Sequence, residues 1–215
     1  MKQLDIPFLA SIGYDTPAST VMEALAAVPA TALAEVPWPE FPYRPSVNFR
    51  IAHTEDSLVL LYDVREKNVK AVYRKPNDPV YKDSCVEFFL SFDGQHYYNL
   101  EFNCVGTGLI GYGGSDKAKR KRLHPDTVRK VKAYGSISAS HVPDGTDTAW
   151  QLLLNIPLVV FEHHRITTMA GLQCRGNFYK CGDDLSVPHF VAWNRIVAPV
   201  PNFHLPQFFG ELRFQ

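Results

Sequence analysis

The sequence holds little that would staple, anchor or bias it. Its four cysteines, Cys85, Cys104, Cys174 and Cys181, contain no Cys-x-x-Cys pair in 215 residues, which excludes a disulfide scaffold. Charge has no preferred sign. The 22 basic and 22 acidic residues balance, so overall electrostatics require neither nucleic acid nor an anionic membrane as partner. No apolar run reaches the roughly 18 residues of a membrane span. Lys2, Asp5 and Pro7 break up the first ten residues, so no secretory leader is visible. The expected location is cytoplasmic, or extracytoplasmic if a leader has been removed. Also missing are a Gly-x-Ser-x-Gly nucleophile elbow, a His-Glu-x-x-His zinc motif and the recurrent helices that parallel βαβ crossovers need.

What the chain does have is aromatic carbon in alternating patterns. It carries 14 Phe and 10 Tyr, and 46% of its residues are hydrophobic against 20% charged. Such residues suit half-buried pleated surfaces. Residues 1–46 hold seven prolines, from Pro7 to Pro45, and read as an arm that packs on the rest through Trp38, Phe41 and Tyr43. Within it, Thr16 or Ser19 would cap a short helix over Val21–Val28 that Pro29 stops.

From Val47 the period becomes two, and residues 47–215 read as one domain. Val47–Ile51 and Ser57–Val64 form an expected hairpin, and Val69–Tyr73 a further strand. Val86, Phe88, Leu90 and Phe92 alternate with Glu87, Phe89 and Ser91, and Asp93-Gly94 turns the chain. Tyr98, Leu100, Phe102 and Cys104 then alternate with Tyr97, Asn99, Glu101 and Asn103. Strands are also expected at Leu109–Tyr112, Ala133–His141, Trp150–Ile156, Ile166–Cys174, His189–Trp193 and Gly210–Phe214, with a Pro143-Asp144-Gly145 turn. The fold class is all-β, a two-sheet sandwich of immunoglobulin-like or jelly-roll-like build.

A hairpin between the two alternating strands would stand Glu87 beside the Asn99, Glu101 and Asn103 row. Carboxylates and carboxamides at alternate positions can bracket sugar hydroxyls, each of which both donates and accepts. An ordinary solvated sheet face, a calcium site or a glycosidase pair of Glu87 and Glu101 would draw on the same residues. Phe89 and Tyr97 on that side either face a ligand or lie beneath a loop. His189 and His204 read as hydrogen-bonding loop organisers. Cys174 and Cys181 flank a Gly-Asn segment and would pair if the strand turned back there. One basic cluster, starting at Lys117, Lys119, Arg120, Lys121 and Arg122, reads as a solvated loop or an anion site. No aromatics interleave with it, so no nucleic acid is expected.

The run Pro79-Val-Tyr-Lys-Asp-Ser-Cys-Val-Glu-Phe-Phe-Leu90, followed by Tyr97-Tyr-Asn-Leu-Glu-Phe-Asn-Cys-Val-Gly106, resembles carbohydrate-binding module family 9 and its DOMON-like relatives, stand-alone bacterial members in particular. Pro188-His-Phe-Val-Ala-Trp193 and Pro201-Asn-Phe-His-Leu-Pro-Gln-Phe-Phe-Gly210 extend the similarity over about residues 45–215. The resemblance implies a β-sandwich that binds oligosaccharide or polysaccharide fragments, from plants or other sources, without catalysis. Two rings would stack on a sugar, Tyr81 and Phe203, with His204 and Trp193 as alternatives to the latter. Glu87, Asn99 and Glu101 would hold its hydroxyls. Calcium near Asp83, Glu87 and Glu101 is the cofactor the resemblance allows. Tryptophan is the usual stacking residue in such modules, and their long basic hydrogen-bonder on the second strand has no counterpart here. A glycan hydrolase, or an interaction module without sugar binding, are the alternatives.

Overall fold

The computed structural model describes residues 1–142 and 145–215, with 140–142 and 145–147 described by their backbone alone. The expected turn at Pro143-Asp144 lies outside the described residues. Thirteen strands are present among those described: β1 (Gln3–Ile6), β2 (Thr31–Ala32), β3 (Ser46–His53), β4 (Ser57–Glu66), β5 (Cys85–Ser91), β6 (Tyr97–Asn103) and β7 (Gly108–Gly113), then β8 (Lys121–Arg122), β9 (Lys132–Val142), β10 (Gly145–Pro157), β11 (Gln173–Cys181), β12 (Phe190–Ala192) and β13 (Gly210–Phe214). Two short α-helices, α1 (Ala18–Ala26) and α2 (Pro125–Arg129), and four single 3-10 turns complete the regular structure among the described residues. No helix among the described residues is long and apolar enough to cross a membrane.

The strands form two sheets, which makes the fold an all-β sandwich. One sheet runs β1-β13-β11-β5-β6-β7-β8, with β12 also paired to β11; the other runs β2-β3-β4-β10-β9. Period-two alternation explains the core between them, because every second side chain of a strand faces the opposite sheet. Val86, Phe88 and Leu90 of β5 meet Leu60, Tyr62 and Val64 of β4 in one buried cluster. Phe178 of β11 sits at its centre, stacked on Phe49 at 3.9 Å and on Phe88 at 4.7 Å between ring centroids. α1 covers part of the second sheet's outer face by packing Val21 and Leu25 on Val59, Leu61 and Leu153.

A buried ion pair closes one end of this core. Glu66 and Lys180 occupy the core-facing parity of β4 and β11, and Lys180 Nζ lies 2.9 Å from Glu66 Oε2 with both side chains fully buried. Trp150 Nε1 donates to Glu66 Oε1 at 2.7 Å. Lys180 Nζ also donates to the Cys181 carbonyl at 2.9 Å and to His189 Nε2 at 2.8 Å. That leaves the proton on His189 Nδ1, which donates to the Val187 carbonyl at 3.0 Å. Burial, and then the Lys180 charge, push the His189 pKa down to about 3, so the ring is neutral and organises the loop before β12.

Several local expectations resolve differently. Residues 69–73 join no sheet. The Val72 and Tyr73 amides donate instead to the Asp83 carboxylate, at 3.0–3.1 Å, and Lys70 N donates to Ser84 Oγ at 3.1 Å. α1 starts after Pro17 with no side-chain cap, because Thr16 Oγ1 accepts from Gly13 N in the preceding turn. The strand expected at Ile166–Cys174 begins at Gln173 and runs straight through Gly176-Asn177 to Cys181, so Cys174 and Cys181 sit at its two ends. All four cysteines are free and buried, and the register partner of Cys181 is Cys85. The proline-rich stretch contributes strands to both sheets, β1 to one and β2 to the other.

Candidate functional site

The outer face of the larger sheet is divided between an apolar cover and a polar cavity. Phe89 and Tyr97 are fully buried there, beneath loops rather than facing solvent. Trp38 from the arm, with Phe203 and Phe209 from the chain before β13, packs over them. Trp38 Nε1 donates to the Ala198 carbonyl at 2.9 Å, Phe41 meets Phe190 edge-on, and the Tyr43 hydroxyl accepts from Lys67 N. Beside this layer the same sheet face forms the floor of a cavity of about 490 Å³.

β5 and β6 pair so that Glu87 stands opposite Glu101 and Phe89 opposite Asn99. The tight turn between them uses Gly94 at φ 73°, a backbone state that suits glycine. Asn99 Nδ2 donates to Glu101 Oε1 at 2.7 Å, and Cys181 Sγ donates to Glu87 Oε1 at 3.1 Å. Opposite Asn99 on β7 is Gly111, where a Cβ would lie 2.6 Å from Asn99 Oδ1. Glycine therefore keeps the floor open. Tyr81 and Asp183 wall one side, Phe203 and His204 another, and the basic loop a third. Phe203 lies flat on Tyr179 at 4.1 Å and 7°, which fixes its ring plane.

Arg120 latches the basic loop onto this floor. Its guanidinium lies 3.9 Å over the Tyr97 ring and donates to the carbonyls of Gly113 (2.6 Å), Gly114 (2.9 Å) and Tyr97 (3.0 Å). It also donates to Asn99 Oδ1, which commits the Asn99 amide nitrogen to Glu101. On the other wall Tyr97, its phenol pushed up to about 12 by burial, shares a hydrogen bond with His204 Nδ1 at 2.9 Å. Burial and the Arg120 charge lower the His204 pKa to about 3. With Tyr97 as the donor, the neutral ring carries its proton on Nε2, which has no protein partner among the described residues.

The acids here are held in or near their neutral forms. Burial raises Glu101 to about 7 and Glu87 well above the usual carboxyl range, with Glu101's charge the second cause for Glu87. Asp183 rises to about 6, again chiefly by burial. Glu101 Oε2 is buried without a hydrogen-bond partner among the described residues. A raised carboxyl pKa means that the folded state keeps a proton the unfolded chain has released. Stability is therefore lost as pH rises from about 4.5 to about 7. Glu101→Gln keeps the Asn99 bond and removes the charge. Its urea midpoint should match the wild type near pH 4.5 and exceed it at pH 8; equal midpoints at both pH values would contradict this origin.

Six of the seven residues singled out from sequence line the cavity: Tyr81, Glu87, Asn99, Glu101, Phe203 and His204. Trp193 does not. It is buried in the core between the sheets, edge-on to Phe178, because β12 turns that side chain away from the outer face. The calcium expectation names Asp83, Glu87 and Glu101. Asp83 is wholly buried, with its carboxylate accepting from the Val72 and Tyr73 amides and from Asn103 Nδ2. Among the described residues one set of three metal-capable side chains converges within 4.8 Å, Cys85, Glu87 and Cys181. Two thiols and one carboxyl are a poor match for a cation that takes six to eight oxygens. Sequence reasoning missed Arg120 as a floor residue, although the basic cluster around it was visible. It supplies a long basic side chain from a loop rather than from the second strand.

A sequence profile of Carbohydrate-binding family 9 matches residues 18–214. Among solved structures, a Bacteroides uniformis ATCC 8492 protein, provisionally described as carbohydrate-binding, is 36% identical over 100% of this chain and 99% of that one, with a TM-score of 0.90. A family 9 carbohydrate-binding module from Caldicellulosiruptor kristjanssonii, solved with glucose and with cellotriose, shares the fold. Those two structures give TM-scores of 0.59 and 0.57 at 14% and 13% identity, covering 100% of this chain and 96% and 94% of theirs. No curated protein matches the chain.

Proposed function

The chain belongs to Carbohydrate-binding family 9, and from that premise we propose that the cavity binds a carbohydrate without transforming it. The observation that carries this reading is the polar floor of Glu87, Asn99 and Glu101, sunk in a cavity of about 490 Å³ whose walls include Tyr81 and Phe203. That volume falls within the range of roughly 300–1,000 Å³ usual for small-ligand sites. Sugar hydroxyls need donors and acceptors together. Glu101 accepts, protonated Glu87 and the His204 Nε2–H donate, and the rings offer apolar faces to the C–H side of a pyranose. The solved family 9 module with glucose and cellotriose supports the same ligand class.

The carboxyl pair favours binding over hydrolysis. Glu87 and Glu101 rise side by side from one floor as register partners, and each has an oxygen engaged by a neighbour, Cys181 or Asn99. Glycosidase carboxyls instead flank the scissile bond, one to protonate the leaving oxygen and one to attack or activate water. Calorimetry against mono- and oligosaccharides from xylan, cellulose and host glycans tests the proposal. Binding within that panel is expected, and no heat at millimolar ligand across all of it would overturn the reading. Tyr81→Ala should weaken whatever binds by about tenfold, in line with the ~0.5–1.5 kcal/mol of a well-placed aromatic contact.

A further inference from the structure

The cavity's cationic side exceeds what its floor uses. Arg120 is spent on the sheet and its loop, and Arg122 donates to the Asn77 carbonyl at 2.5 Å. Lys117 and Lys121 line the same cavity, and neither ammonium makes a hydrogen bond or ion pair among the described residues. By contrast Lys119 is paired with Asp116, and Lys82 with Asp184, both outside the cavity lining. Lys117 and Lys121 are both exposed side chains on the basic rim of the cavity. The acids facing these lysines are Glu87, Glu101 and Asp183. Burial holds Glu87 well above the usual carboxyl range and Glu101 at about 7, so those two offset the cations incompletely at pH 7, while Asp183, at about 6, is mostly ionised there.

We propose that the site takes a pyranose bearing a carboxylate, a uronic acid, with that carboxylate between Lys117 and Lys121 and the ring hydroxyls on Asn99, Glu101 and His204. This rests on the carbohydrate-binding reading above and narrows it to a substrate class. Two unpaired ammonium groups at the mouth suit one compact anion, since each is a point charge with freely rotating donors. A neutral hexose would satisfy the floor and leave both lysines without a partner.

The test is calorimetry on the whole chain at pH 7, with glucuronic acid against glucose and galacturonic acid against galactose, plus glucose 6-sulfate. At least one uronic acid should bind about tenfold more tightly than its neutral counterpart, a gap expected from charge-assisted contacts discounted for solvent. The gap should close in 0.3 M salt, as exposed charges are screened. It should also close in the Lys117→Met/Lys121→Met double variant, which should still bind the neutral sugar as the wild type does. Equal affinity for acid and neutral sugars would overturn the inference and leave the carbohydrate reading standing. Tighter binding of the sulfate than of either uronic acid would overturn the carboxylate assignment. No binding of any of these sugars would overturn the inference, and failure across the wider panel would take the carbohydrate reading with it.

Discussion

Lys180→Met should cost the fold about 3–5 kcal/mol, because it strips the counter-charge from a carboxylate sealed inside the sandwich. Glu66 and Lys180 both have fully buried side chains, 2.9 Å apart. With the lysine gone, Glu66 would keep the Trp150 Nε1 bond and the neutral His189 ring 3.5 Å away, but no counter-charge. His189 would also lose the donor to its Nε2, loosening the segment that leads into β12. The double variant Glu66→Gln/Lys180→Met removes both charges and should recover most of the loss, since an apolar or neutral replacement of a whole buried pair is often close to neutral. Urea unfolding at pH 7 measures both. A single-variant loss below about 1 kcal/mol would show that water reaches the pair.

Arg120→Ala should reduce sugar affinity by at least about a hundredfold, close to 3 kcal/mol. The guanidinium has four oxygen acceptors: the Gly113, Gly114 and Tyr97 carbonyls and Asn99 Oδ1. Without it the Asn99 amide is free to turn from Glu101, and the loop carrying Lys117 and Lys121 loses its latch on the sheet. Hydrogen bonds to charged groups contribute about 1.5–3 kcal/mol each, so the loss of two bonds that order the site is enough. Arg120→Lys should not rescue binding, because an ammonium cannot span acceptors arranged for a planar fork. Calorimetry beside far-UV circular dichroism separates a lost site from a lost fold. Binding within threefold of the wild type would mean that the floor orders itself without Arg120.

Strand parity carried most of what the sequence revealed. Alternation puts Val86, Phe88 and Leu90 inside and Glu87 on the face of Asn99, Glu101 and Asn103, because a strand gives each residue only two faces; the register then sets Glu87 opposite Glu101. The buried ion pair was not legible, because the strands expected from sequence stop at Val64 and at Cys174. Glu66 continues the inward series of Leu60, Tyr62 and Val64, and Lys180 follows Phe178. Charge argued the other way at both positions, and nothing local says that each charge meets its partner across the core. The chain at residues 69–73 alternates like a strand but spends its amides on Asp83 and Ser84, side chains whose position depends on the later turn. Arg120 was hidden for a similar reason. In a loop no periodicity tells which of several cations turns back onto the sheet. Trp193 was close enough in sequence to be an alternative to Phe203, yet one residue's difference in facing sends it into the main core.

The cavity's role is tested most directly by a crystal structure of the protein soaked with an oligosaccharide that binds in calorimetry. A terminal pyranose should lie on the Glu87, Asn99 and Glu101 floor, with one ring face toward Tyr81 or Phe203 and a hydroxyl on His204 Nε2. A sugar ordered elsewhere on the surface, with this cavity empty at saturating ligand, would contradict the account.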